Sequence, residues 1–193
     1  MKDQIANMLA LTQVMEGLKR ELRHSHLSDG RVESVAEHSW RLAFMVLAIA
    51  PSIAHEFDVA KALKMAIVHD IAEVYATDIP LFQTDNDARA RAEKMEKETA
   101  AMATIRSIAG EPLGEWLVNC WHEYEAQACF ESRVVRALDK LEAQIQHNQA
   151  SLDTWNDWEK ARLFSGSLED SSAVCEATAQ LCEMVLEQGR RKL

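Results

Sequence analysis

A chain of 193 residues, 48% hydrophobic and 27% charged with only six glycines and three prolines, has the material for one sizeable core and is neither disordered nor fibrous in composition. The formal net charge of −10 argues against a DNA or RNA polymer as partner, although a small phosphorylated ligand needs only a local basic cluster. No opening stretch reads as a signal peptide, no apolar run reaches the length of a membrane span, and four cysteines without Cys-x-x-Cys spacing read as buried free thiols of a reducing cytoplasm.

In chain order, Met8, Leu11, Met15, Leu18 and Leu22 recur in steps of three and four, which predicts an amphipathic first helix. It ends in a basic patch of Lys19, Arg20, Arg23, His24 and His26, and Ser28–Gly30 reads as a turn. A helix from about Glu33 to Ala50, closed by Pro51, turns Val35, Leu42, Met45, Val46 and Ile49 to the core and carries His38 near its start. Asp58 is placed to cap the next helix, which bears His69, Asp70 and Glu73, and a loop over Ala76–Asp87 follows. Asp87 then caps a long helix ending near Gly110, whose Arg89, Arg91, Glu93, Lys94, Glu96, Lys97 and Glu98 read as a solvated face. Helices over Leu113–Ala126 and Ser132–Gln149, a short one around Trp155, Trp158 and Leu163, and a final one from Ser171 complete the chain. With no period-2 strand run, repeat or linker, the expectation is one all-α domain over residues 1–193.

The stretch Met65–Pro80 (MAIVHDIAEVYATDIP) sets His69, Asp70, Glu73 and Asp78 among Met65, Ile67, Val68, Ile71 and Val74. Polar groups on a buried helix must be compensated, at about 2–7 kcal/mol each if they are not, and a metal ion does so directly for imidazole and carboxylate. His69 and Asp70 can grip one ion together, with Glu73 one turn on and on the same side as Asp70. A hydrogen-bonded core histidine is the plainer reading of that pair. Asp139, between Leu138 and Leu141, likewise wants a cation, either a metal or a salt bridge to Lys140 or an arginine. His38, His69, Asp70 and Asp139 would supply two imidazoles and two carboxylates from three helices, leaving room for water or a phosphate oxygen.

The order His…His-Asp…Asp resembles the HD-domain superfamily of metal-dependent phosphohydrolases. ESVAEHSWRLAFM, HDIAEVYATDIP and RALDKLEAQIQ look like its 5′-deoxyribonucleotidase branch, over roughly Leu18–His147. The resemblance implies a helical HD-domain bundle with His38, His69, Asp70 and Asp139 as metal ligands. It makes Glu73 and Asp78 the acidic residues beside the attacking water, and Arg23 the holder of the substrate phosphate. His24 stands where bacterial nucleotidases of this branch have a tryptophan near the sugar, which leaves sugar and base preference open. Mixed nitrogen and oxygen ligands favour one divalent Co, Mn, Zn, Fe or Ni ion over Mg or Ca.

The expected activity is phosphate release from deoxyribonucleoside 5′-monophosphates, in the cytoplasm and by a homodimer. The alternatives are another small phosphorylated metabolite or a non-catalytic metal- or nucleotide-binding protein. A di-iron oxygenase needs further histidines between His69 and Asp139, where only His122 lies, and His122 reads as structural beside Trp121 and Tyr124.

Overall fold

The computed structural model describes residues 1–193. Helix α1 (Lys2–Met15) and a 3-10 turn (Glu16–Lys19) lead into a hairpin of β1 (Leu22–His26) and β2 (Val32–Ser34). There follow α2 (Val35–Ile49), α3 (Val59–Val68), α4 (Glu73–Ala76), α5 (Ala88–Ala109), α6 (Leu113–Glu125) and α7 (Phe130–Gln149). Short helices α8 (Asp157–Arg162) and α9 (Ser167–Ser172) and the closing α10 (Glu176–Arg190) complete a helical architecture.

The helix limits follow local chemistry. Ser34 and Glu37 form a reciprocal capping box at the start of α2, and Asp58 accepts the Lys61 backbone N–H at the start of α3. Asp87 caps α5, and Gly110, at φ 63°, ends it in a left-handed backbone that a side chain would resist. Three apolar clusters form the core. One joins Leu18, Val35, Val68 and Trp121, a second Leu42, Met65, Val134 and Leu138, and a third Leu141, Trp155, Leu163 and Leu186. Helix α7 supplies the second and third, so Asp139 rides on an element fixed from two sides.

Several expectations are corrected. The first helix stops at Met15, and Leu22 lies exposed in β1. The hairpin has no hydrophobic alternation to announce it: β1 reads LRHSH, β2 is three residues long, and a register shift lies between the pairs Leu22–Ser34 and His26–Val32. The helix bearing His69 ends at Val68, after which i-to-i+3 bonds (Ile71 N–H to Val68 O, Glu73 N–H to Asp70 O) tighten the chain into a 3-10 turn. Ile67 is exposed rather than part of the core. On α5, Glu98 is buried and Lys94 is drawn inward, because each has an ionic partner there. The last helix is two, α9 and α10, and Trp158 lines a cleft instead of packing on the core. Of the cysteines only Cys182 is buried; the other three are half-buried, with Cys129 and Cys175 at helix starts.

Candidate metal centre and its cleft

His38, on the second turn of α2, and His69, at the C-terminal cap of α3, are both buried and face each other with their Nε2 atoms 3.2 Å apart. Asp139 Oδ1 lies 3.1 Å from His38 Nε2 and 3.9 Å from His69 Nε2. Asp70 Oδ2 lies 3.0 Å from His69 Nε2 and 3.8 Å from His38 Nε2. Bonds of 2.0–2.2 Å to a tetrahedral ion put neighbouring ligand atoms roughly 3.4 Å apart, which is the size of these separations. His38, His69 and Asp139 therefore meet at one point, and Asp70 approaches both imidazoles from a side farther from Asp139.

Each ligand is also held from behind. His69 Nδ1 lies 3.0 Å from the Ala66 carbonyl, which can only accept, so the ring proton sits on Nδ1. His38 Nδ1 is hydrogen-bonded to Glu142, a carboxylate with no exposed surface. Asp139 Oδ2 accepts from the Tyr124 hydroxyl at 3.1 Å, and Arg136 donates to that hydroxyl. Asp70 Oδ2 accepts from Arg23 Nη1 at 3.2 Å. Metal-binding imidazoles characteristically give their second nitrogen to a carboxylate or carbonyl in this way.

Electrostatics agree with a cation. Burial and Arg23 push the His38 imidazole down, yet Glu142 and Asp139 outweigh them and hold it at about 10. That demand for positive charge is met by a divalent ion on Nε2 as well as by a proton. Burial raises the Asp139 carboxyl, and the hydrogen bond to His38 with the nearby His69 pulls it well below its usual range. The donor set fits a divalent ion.

Behind His38 runs a buried ionic chain that the sequence reading missed. Arg41 Nε donates to Glu142 Oε1 at 2.6 Å and Arg41 Nη1 to Gln149 Oε1 at 2.9 Å, while Glu33 lies 3.7 Å from both Arg41 and Arg23. The available signal was spacing: Glu142 is one turn beyond Asp139 and follows Leu141, hence on the inner side of α7.

The metal group lies at the foot of a cleft of ≈ 200 Å³. Arg23, His24 and Ser25 all line it, although neighbours in a regular strand face opposite ways. The register irregularity in the hairpin accounts for this re-aiming. Lys94, Arg136, Lys140 and Arg162 add positive charge along the walls, a basic pocket in an acidic chain. None of these four was expected to contribute. Asp78 lines the cleft too; its backbone N–H donates to Glu21 Oε1 at 3.0 Å, and the residue before it, Thr77, has φ 63° and ψ 151°, a strained conformation for a residue with a side chain.

Glu73 is the exception. It is buried, does not line the cleft, and sits 4.0 Å from Lys94 with Oε2 unpartnered. Burial, then Asp70 and Asp78, push its carboxyl well above the usual range. His122 lies exposed on α6, its ring 4.9 Å from Trp121 and outside the cleft.

Comparison with known proteins gives the family and the fold. A family profile described as the HD domain matches residues 15–178. The chain is 32% identical over 145 residues to the 5′-deoxynucleotidase HDDC2 of Danio rerio, covering 74% of this chain and 69% of that protein. It is 27% identical over 168 residues to the 5′-deoxynucleotidase YGK1 of Saccharomyces cerevisiae, covering 84% and 74%. In fold it resembles a crystal structure described as a predicted metal-dependent phosphohydrolase from Magnetospirillum magnetotacticum, with TM-score 0.79 and 23% identity over 98% of this chain and 96% of that one.

Proposed function

This chain belongs to the HD-domain family, and from that premise we propose that it is a metal-dependent 5′-deoxynucleotidase, releasing phosphate from deoxyribonucleoside 5′-monophosphates. One observation carries the reading: two imidazoles and two carboxylates converge at the foot of a cleft whose walls are basic. His38, His69, Asp70 and Asp139 would hold one divalent transition-metal ion. When bound, such an ion supplies Lewis acidity toward a phosphoryl oxygen and lowers the pKa of a coordinated water.

The chain's own residues do the rest. Arg23, with Lys94 and the cations of the outer wall, binds and orients the phosphate. Arg23 is kept charged by Asp70, Asp78, Glu142 and Asp139 despite its burial. Asp78 faces the cleft and is the group that can take a proton from the attacking water as its oxygen forms the new P–O bond. Glu73, its carboxyl raised by burial, stands behind the cleft 4.0 Å from Lys94 and acts through it by positioning that ammonium, while the O5′ oxygen freed when the old P–O bond breaks takes its proton from solvent. Lys94, near both Glu73 and the cleft, links the two.

Residues 1–193 are read as one HD unit, acting in the cytoplasm as a homodimer. Exposed Trp40, Phe44 and Leu47 along one face of α2 support the dimer, which light scattering tests with Trp40→Glu. No helix is long and apolar enough to cross a membrane. The enzymatic test is phosphate release from a panel of deoxy- and ribonucleoside monophosphates, using chelator-stripped protein refilled with Co, Mn, Zn or Mg, beside Glu73→Gln. Metal-dependent release that the variant loses is expected. Silence across the panel with metal bound would overturn the hydrolase and leave a binding role or another phosphoester.

A further inference from the structure

We propose that Phe82 and Trp158 clamp the nucleobase at the outer end of the cleft, by stacking rather than by reading its polar edge, and that the stacked base thereby seats the loop carrying Asp78. The inference rests on the nucleotidase reading and deepens it.

Both rings are half-buried and line the same cleft as Asp70, Asp78 and Asp139. They come from different elements, Phe82 from the loop after α4 and Trp158 from α8, and their centroids are 6.4 Å apart at 53°. A planar ring between two others needs roughly 7 Å, twice the carbon–carbon contact distance, so a base enters once the rings turn through their 53° toward parallel and part slightly. The Arg162 guanidinium lies 5.2 Å from the Trp158 centroid and steadies that ring. His24 meets Phe82 edge-on at 4.9 Å. It follows Arg23 directly, so the phosphate-binding residue and the aromatic end are one backbone step apart, about 3.8 Å.

Glu159 is the acidic group shared at this end, and His24 Nε2, though close to it, makes no hydrogen bond. Glu159 Oε1 lies 3.2 Å from His24 Nε2 and 3.3 Å from His147 Nε2, and the other oxygen of Glu159 accepts the Asn156 N–H at 2.8 Å. Beside that one nitrogen, the surface offered to a base by Phe82 and Trp158 is aromatic, and every base has a face to stack.

The loop connects this clamp to the chemistry. It is pinned by Glu21 at Asp78 and by Arg91, which donates to the Thr84 carbonyl at 3.1 Å, with the 3-10 turn Leu81–Gln83 between. Phe82 cannot be displaced far without pulling on Asp78 through a short, doubly tethered segment. Binding energy at the base is then available for positioning at the reacting end.

The test compares deoxyadenosine 5′-monophosphate with 2-deoxyribose 5-phosphate, which keeps the sugar and phosphate and lacks the base. Trp158→Ala and Phe82→Ala are expected to lower kcat/KM for the nucleotide roughly 5- to 150-fold and to leave the sugar phosphate within about twofold. Trp158→Tyr should restore most of the loss, and Phe82→Ala should lower kcat as well as raise KM, as loop seating requires. Equal losses on both compounds would mean a structural role and would overturn the clamp, as would no loss on either. Calorimetric titration of both compounds into the unaltered protein is read in parallel. Tighter binding of the nucleotide without phosphate release from either compound leaves the clamp standing and sinks the hydrolase; equal affinities sink the clamp whatever the turnover.

Discussion

The two ends of the cleft are built on opposite principles. At its foot, the proposed ligands sit on or just past the ends of α2, α3 and α7, and each has a second contact: Glu142 behind His38, the Ala66 carbonyl behind His69, Tyr124 behind Asp139, Arg23 behind Asp70. At its mouth, a bulged hairpin, a 3-10 turn and a six-residue helix supply half-buried rings and cations. Coordination tolerates errors of only about half an ångström, whereas stacking accepts a range of partners, so rigidity is concentrated where geometry decides the chemistry.

The sharpest way to break that contrast is to remove one ligand. His69→Ala should abolish metal retention after dialysis, measured by elemental analysis, and lower phosphate release more than about a hundredfold, beyond what loss of a supporting residue costs. Next comes Arg23→Ala, which removes a charge-assisted contact worth about 1.5–3 kcal/mol and should lower kcat/KM roughly 10- to 150-fold, with some loss of metal affinity because Arg23 also backs Asp70. Glu142→Gln probes the supporting layer: competition with a chromophoric chelator should show metal affinity falling about 10- to 100-fold, with the four ligands intact.

Smaller effects belong to the flanks. At Thr77, glycine should be more stable than alanine by about 1 kcal/mol in denaturant melts, because only the alanine keeps the strain of φ 63°. The smallest concerns Glu37, which the hydrogen bonds from Arg31, then the Ser34 backbone N–H, hold at about 2. A depressed carboxyl stabilises the fold above its unfolded value of about 4.5 and loses that contribution as pH falls toward 2. The melting-temperature gap between the unaltered protein and Glu37→Gln should therefore close across that window, and modestly, since Glu37 is solvent-exposed.

How much of this could be read beforehand follows the same division. The His69-Asp70 pair and Asp139 stood out because ionisable groups among apolar neighbours need compensation, whereas His38, a lone histidine near a helix start, was singled out through the family resemblance. Caps at Asp58 and Asp87 and the stop at Gly110 were legible from local chemistry alone. Glu142 carried only the signal of its spacing from Asp139, and Arg41 none, because its partner lies 101 residues away in the chain. Lys94 was masked by the charge-rich run around it, and Arg136, Lys140 and Arg162 because single cations on amphipathic helices read as the solvated face. The hairpin escaped because its pattern is broken at the place where it is useful.

That break limits which insertions and deletions the gene can accept. Loops between elements ordinarily gain and lose residues freely, and the turn Ser28–Gly30, with open space around Gly30, should follow the rule. Between Leu22 and His26 the same change is of another kind, since losing one residue shifts the alternation by a step and turns either Arg23 or His24 away from the cleft. The hairpin is thus a ruler whose length is counted in single residues on one arm and left free at the tip.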